Sequence, residues 1–206
     1  TPRAAAMRAP RAPSVAFMLS GVGDQYCGMA AALYRDETLF RQVVDECCTT
    51  LAPLLSCDLR SFFRARSVAP GDGAPVDLRR MLRREEAPDG TEDVVVAQPL
   101  VFVVDYALAR LWMSWGIQPE ALIGHSIGEL VAATLAEVFA LADVLPLVAE
   151  RARRIQETPR GALLAVNLEA AALAGWLDDR LSVSAVNAPN LCVVAGEPAA
   201  IDDLDR

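Results

Sequence analysis

With 206 residues, 53% of them apolar and 22% charged, the chain suits one domain, or a larger domain with a small satellite, and can bury a real core. A net charge of −8, with the basic charge carried by arginine, argues against a general nucleic-acid binder, because neutralising phosphates needs clustered cations. Residues 1–13 lack the apolar segment of a secretory signal, and no stretch of 18 or more apolar residues is free of charge, so no membrane span is indicated.

Residues 1–13, rich in Ala, Arg and Pro, read as a linker. Val15 to Leu19 is a short apolar run that suits a buried strand. It ends in a glycine turn, Ser20-Gly21-Val22-Gly23-Asp24-Gln25. Helices are expected near Gly28 to Tyr34 and from Thr38 to Leu55, the second with Leu39, Val43, Cys47 and Leu51 at helical spacing. Ser67 to Asp93 reads as a polar surface excursion with a short helix around Leu78 to Arg84. The arginines in it (Arg79, Arg80, Arg83, Arg84) suit a solvated face better than a phosphate site.

Pro99 to Trp115 is expected to be a helix, with Pro at its start and Gly116 just past its end. A strand at Ala121-Leu122-Ile123, a sharp turn and a helix from Glu129 to Ala140 follow. The next helix is expected over Leu141 to Thr158, with Pro146 tolerated in its first turn. After Gly161 the texture changes. Strands are expected at Ala162 to Val166, Leu181 to Val186 and Leu191 to Ala195, with helices at Glu169 to Asp179 and from Pro198. This β-α-β-β-α order is a ferredoxin-like unit without its last strand. The expected organisation is a linker (1–13), a large α/β subdomain (14–160) and an incomplete small subdomain (161–206).

Gly124-His125-Ser126-Ile127-Gly128 lies between the second strand and its helix, which is the pattern of a nucleophile elbow. The glycines relieve crowding in a tight turn. The turn lifts the Ser126 hydroxyl to a helix N-terminus, where free N–H groups can stabilise an oxyanion. Such a device points to acyl transfer or ester hydrolysis through an acyl-serine. The N–H groups of Ile127 and of Val22 in the first glycine loop are the natural oxyanion donors. His125 is the only histidine, and its place beside the serine suits it poorly to act as that serine's base. Arg151 falls on an apolar stripe with Val144, Leu147, Val148 and Ile155, and Arg154 lies at its edge. An arginine rarely sits on a buried face without a partner, and a structural carboxylate or a substrate carboxylate held by a bidentate fork would each serve; periodicity alone does not choose between the two arginines. The five cysteines (Cys27, Cys47, Cys48, Cys57, Cys192) show no metal-ligand spacing, and their odd count suggests reduced thiols in a cytoplasm.

From about Val15 to the last residue the chain resembles the acyltransferase domains of modular polyketide synthases and the related malonyl-CoA:acyl-carrier-protein transacylases. The resemblance rests on Phe17 to Tyr26, Ala97-Gln98-Pro99-Leu100, Ala109 to Trp112, Ser114-Trp115-Gly116, Gly124 to Glu129, Arg151 to Gln156, Asn187-Ala188-Pro189 and Val193 to Gly196. It implies a hydrolase-like parallel-sheet α/β core with an inserted ferredoxin-like subdomain. It implies that Ser126 takes a malonyl group from coenzyme A and passes it to an acyl carrier protein. Val22 and Ile127 would form the oxyanion hole, Arg151 rather than Arg154 would grip the malonyl carboxylate, and Gln98, His125 and Asn187 would line the site. No cofactor is implied beyond the coenzyme A thioester and the phosphopantetheine of the carrier. Implied partners are other polyketide synthase domains and the rest of the same domain, without nucleic acid or membrane. The chain departs from the family at Val22, where Gln is usual, at Asp24, where Ser is usual, and at Arg154, which replaces an apolar residue.

The family's catalytic histidine follows the ferredoxin-like subdomain, so the chain reads as the N-terminal part of such a domain, nearly inactive alone. Ile127, where Gln commonly accompanies methylmalonyl use, implies a malonyl extender. A serine esterase with the same elbow and a structural fragment without catalysis are the rival readings.

Overall fold

A computed structural model describes residues 14–23, 25–64 and 93–206. The linker at 1–13, Asp24, and the excursion with its short helix and four arginines lie outside the described residues, save Asp93. The chain divides into two compact units, residues 1–156 and 157–206.

In the first unit β1 (Ala16–Leu19) runs parallel to β2 (Ala121–Gly124), with Ala16 opposite Ala121 and Leu19 opposite Gly124. Helices α1 (Ala31–Asp36), α2 (Thr38–Leu51) and α3 (Arg60–Arg64) follow β1. Helix α4 (Val94–Ser114) precedes β2, and α5 (Ile127–Leu135) and α6 (Leu141–Gln156) follow it. Along α2, Phe40, Val43, Val44, Cys47, Cys48 and Leu51 recur every three or four residues and are all buried. That spacing puts them on one face, where each fully buried large side chain stabilises the fold by roughly 1.5–3 kcal/mol.

Helix α4 is the spine of this unit and packs against α2, α5 and α6. It is apolar nearly all round, which suits a helix enclosed by others. By length and composition it could cross a membrane, but 72% of its most apolar stretch is buried inside the protein. Its start differs from expectation. Asp93 is the N-cap, its side chain accepting the Val95 N–H at 3.0 Å, and Pro99 lies inside the helix. The ring there removes one N–H, the one that would reach the Val95 carbonyl. Pro146 likewise sits in the second turn of α6, not the first, and the N–H it lacks would have bonded the carbonyl of the exposed Ala142. Helix α5 ends at Leu135, short of the expected Ala140, and the chain turns through Glu137 at φ 60°.

The second unit holds β3 (Ala162–Val166), α7 (Ala170–Leu173), β4 (Leu181–Ala188), β5 (Leu191–Gly196) and α8 (Pro198–Asp205). Its sheet is antiparallel in the order β3-β5-β4. Its core is small: Leu173, Cys192, Val194 and Ile201, flanked by half-buried Leu164, Val166, Val183 and Leu204. The helix expected over Glu169 to Asp179 is one turn, closed at Leu173 before Gly175. No disulfide joins any of the five cysteines.

Candidate active site

The elbow is fixed by sterics. Ser126 has φ 53° and ψ −115°, a conformation that costs a non-glycine residue on the order of 1–3 kcal/mol. It is the N-cap of α5, and the N–H of Glu129 bonds its carbonyl at 3.1 Å. Both flanking glycines are required by close backbone approach. A Cβ on Gly124 would lie 2.3 Å from the Glu129 nitrogen, and one on Gly128 would lie 2.4 Å from the Leu19 carbonyl oxygen. The glycine at 128 therefore lets the elbow seat directly on the end of β1.

The loop after β1 runs beside the elbow. The His125 N–H donates to the Leu19 carbonyl at 3.0 Å, extending the parallel pairing by one bond. A Cβ on Gly21 would come 2.9 Å from His125 Cδ2 and 3.5 Å from Ser126 Cβ. The His125 ring thus lies towards Gly21, and among the described residues it makes no hydrogen bond to the Ser126 hydroxyl. Val22 is exposed and Ile127 is fully buried. Neither N–H is taken by a backbone carbonyl among the described residues. The Ile127 side chain belongs to the core cluster of the first unit. The Gly23 N–H is held by Gln25 Oε1 at 2.7 Å, which closes the far side of the loop.

Arg151 reaches the serine. Its guanidinium donates through Nη2 to Ser126 Oγ at 3.2 Å and through Nη1 to Gln98 Oε1. Gln98 is buried on α4, so its amide is a fixed acceptor that aims the guanidinium. Arg154 points elsewhere. It binds Glu150 Oε1 at 2.6 Å, and Arg153 binds the same carboxylate. These two arginines pull the Glu150 carboxyl down to about 2.

The stripe on α6 differs from expectation. Its buried residues are Val144, Leu145, Val148, Ala149 and Ala152, while Leu147 and Ile155 are exposed. The buried face is displaced from the expected stripe, so Arg151 emerges at its flank, half-buried. That placement lets a charged head reach Gln98 and Ser126 while the helix keeps an apolar seam. Asn187 lies in the second unit, exposed on β4. A cavity of about 460 Å³ opens along β1, lined among others by Phe17, Leu108, Trp112 and Ile117; Ser126, Gln98 and Arg151 are not part of it.

One residue near the elbow was missed from sequence. Asp105 of α4 accepts the Ser20 N–H at 3.0 Å and the Ser20 hydroxyl at 3.2 Å. Burial pushes its carboxyl above the ordinary carboxylate range, and the two Ser20 bonds work in the opposite direction. An acidic residue within the otherwise apolar run Leu100 to Ala109 was the available signal.

The profile of the acyl transferase domain matches residues 16–206. A phenolphthiocerol/phthiocerol polyketide synthase protein of Mycobacterium tuberculosis is 38% identical over 188 residues, 91% of this chain and 11% of that protein. The acyl transferase domain of SpnD, solved in complex with 2-(pent-4-yn-1-yl)malonyl, aligns with a TM-score of 0.74 at 40% identity, covering 95% of this chain and 42% of that one. The acyl-carrier-protein S-malonyltransferase of Burkholderia pseudomallei 1710b aligns at 0.70 and 26% identity, covering 92% and 57%. The chain thus spans about a tenth of the length of the curated relative and about half of the solved chains. With an α/β fold, the elbow at Ser126 and this match along nearly its whole described length, the chain belongs to the acyl transferase domain family, in the company of polyketide synthase acyltransferase domains.

Proposed function

We propose that this chain carries the nucleophile half of an acyltransferase that moves a malonyl unit from coenzyme A to an acyl carrier protein. The observation that carries the proposal is the Arg151 guanidinium, aimed by Gln98 and bonded to the Ser126 hydroxyl. An esterase elbow has no use for such a cation. A transferase for carboxylated acyl groups does, because a planar guanidinium can hold a carboxylate by two parallel hydrogen bonds.

In this reading Ser126 Oγ attacks the thioester carbonyl. The carbonyl oxygen becomes an oxyanion facing the N–H groups of Ile127 and Val22. The C–S bond breaks, coenzyme A leaves as the thiol, and the serine proton passes through a base. The phosphopantetheine thiol of the carrier protein then attacks malonyl-Ser126, and the serine recovers its proton. His125, with its ring towards Gly21, is not that base. The resemblance supplies a different histidine as the base, one that is not among these 206 residues. General-base assistance is worth roughly 10²–10⁴-fold. No cofactor takes part beyond the thioester and the carrier's arm.

Two finer readings go with this one. The first unit is the hydrolase-like core. The second is the ferredoxin-like subdomain, supported by its antiparallel order β3-β5-β4, in which the first strand pairs with the third. A role for Asn187 towards the substrate rests on the resemblance alone. The preference for malonyl over methylmalonyl also rests on resemblance, since the Ile127 side chain faces the core.

The test is incubation of the complete domain with malonyl-CoA, adduct mapping by mass spectrometry, and addition of carrier protein. The expected result is malonyl on Ser126 that moves to the carrier. An adduct on any cysteine with Ser126 bare, or release of free malonate in place of transfer, overturns the reading.

A further inference from the structure

We infer that Asp105 is a positioning residue for the oxyanion loop, acting through Ser20. The inference rests on the reading of Ser126 as the nucleophile and deepens it by saying what holds the loop beside it.

Ser20 is the hinge between β1 and the loop. The last pair of the parallel ladder is Leu19 with Gly124, and the His125 N–H closes onto the Leu19 carbonyl. From Ser20 onward no strand bond constrains the chain, yet Gly21 passes against His125 and Ser126, and Val22 must present its N–H soon after the ladder ends. Two contacts fix the Ser20 residue. On one side the Gly128 Cα packs so closely that a Cβ there would lie 2.7 Å from the Ser20 carbonyl oxygen. On the other, the Asp105 carboxylate takes both the N–H and the hydroxyl of Ser20 through Oδ2.

The Asp105 anchor comes from α4, the same helix that carries Gln98. One rigid element therefore positions both the cation, through Gln98, and the loop, through Asp105. The two residues are seven apart, about two turns, so they lie on one face of α4. Asp105 is half-buried, and among the described residues both of its hydrogen bonds go to Ser20. Among the described residues, no other hydrogen bond holds the Ser20 N–H or hydroxyl. An oxyanion donor acts on the transition state and not on the bound thioester. Loosening the loop should therefore slow acylation and leave thioester binding unchanged.

The test compares Asp105→Asn with Asp105→Leu in the complete domain. Asn keeps an oxygen acceptor for the Ser20 N–H; Leu keeps the volume and removes the acceptor. Removing an oxyanion donor outright costs about 10²–10³-fold in kcat, and misplacing one should cost less, about tenfold or more. The expected result is that fall in the Ser126 acylation rate for Asp105→Leu, with KM for malonyl-CoA within about twofold of wild type, and substantial recovery in Asp105→Asn. Amide hydrogen exchange over Ser20 to Gly23 gives a readout that needs no activity. It should quicken about tenfold in Asp105→Leu and stay near wild type in Asp105→Asn. Unchanged exchange and unchanged acylation in Asp105→Leu would overturn the inference. So would equal losses in both variants. Should the wild-type domain fail to acylate Ser126, the functional reading falls, and the exchange result still decides the role of Asp105.

Discussion

The elbow and the second unit are held by different physics. Around Ser126 the backbone comes so close to itself that Gly124 and Gly128 leave no room for a side chain without movement, Gly21 stands against the His125 ring, and the serine accepts a strained φ. The second unit rests mainly on a small core of Leu173, Cys192, Val194 and Ile201 and a short antiparallel sheet, with a single comparable approach at Gly196, where a Cβ would lie 2.3 Å from the Arg180 carbonyl oxygen. Where such contacts cluster, as they do around Ser126, a side chain cannot be added without moving the backbone. The second unit follows the hydrophobic pattern and yields more readily. The role proposed for Ser126 suits the first kind of region, because a nucleophile and its donors need geometry that packing alone does not supply.

The largest effect expected from this contrast comes from paired glycine substitutions. Gly128→Ala puts a methyl against the Leu19 backbone, which cannot swing aside, and should cost about 3 kcal/mol or more and abolish acylation. Gly175→Ala in the second unit meets nothing within 4 Å and should stay within about 0.5 kcal/mol. Chemical denaturation of both variants checks the pair. Equal cost would mean that the elbow is less rigid than its contacts imply.

Thiol labelling sharpens the comparison at a smaller scale. Burial pushes Cys47 and Cys48 up to about 12, so at pH 8 both remain thiols inside the large core. Cys192 is the buried thiol of the small core. In mild denaturant Cys192 should be alkylated before Cys47 and Cys48, since a unit with few buried contacts opens at lower free energy. The pH sign follows from the raised values. The unfolded thiols ionise at about 8.5 and the folded ones at about 12, so these two residues favour unfolding as pH rises through that window and have no such effect in acid. Simultaneous labelling of all three would make the units one cooperative body.

Much of the site was legible in sequence because its rules are local. Gly-x-Ser-x-Gly between an apolar run and a helix predicts the turn, and the turn dictates where Ser126 stands. The strands at Ala162, Leu181 and Leu191 were legible for the same reason: alternation and a Pro-Asn turn suffice. Other features depend on tertiary contact. Asp93 outcompetes Pro99 as the start of α4 because a side-chain cap satisfies an N–H that proline merely lacks. The buried face of α6 is set by what α2, α4 and α5 present, so periodicity placed Arg151 in the stripe when it stands at the flank. The bond from Asp105 to Ser20 spans 85 residues, and no spacing rule reaches that far. The choice between Arg151 and Arg154 was open to periodicity alone; in the structure Glu150 holds Arg154 one turn back along the exposed side of the helix, and Arg151 bonds the Ser126 hydroxyl.

That choice supplies the most direct measurement of the central claim. Acylation of Ser126 by malonyl-CoA and by acetyl-CoA should be compared in the complete domain for wild type, Arg151→Ala and Arg154→Ala. A charge-assisted hydrogen bond is worth roughly 1.5–3 kcal/mol, so Arg151→Ala should lose malonyl transfer by about 10–150-fold while acetyl transfer persists or rises. Arg154→Ala removes only an exposed ion pair that solvent screens, and should leave the malonyl-to-acetyl ratio unchanged. Equal loss of both substrates in Arg151→Ala, or a change of preference in Arg154→Ala, would contradict the account.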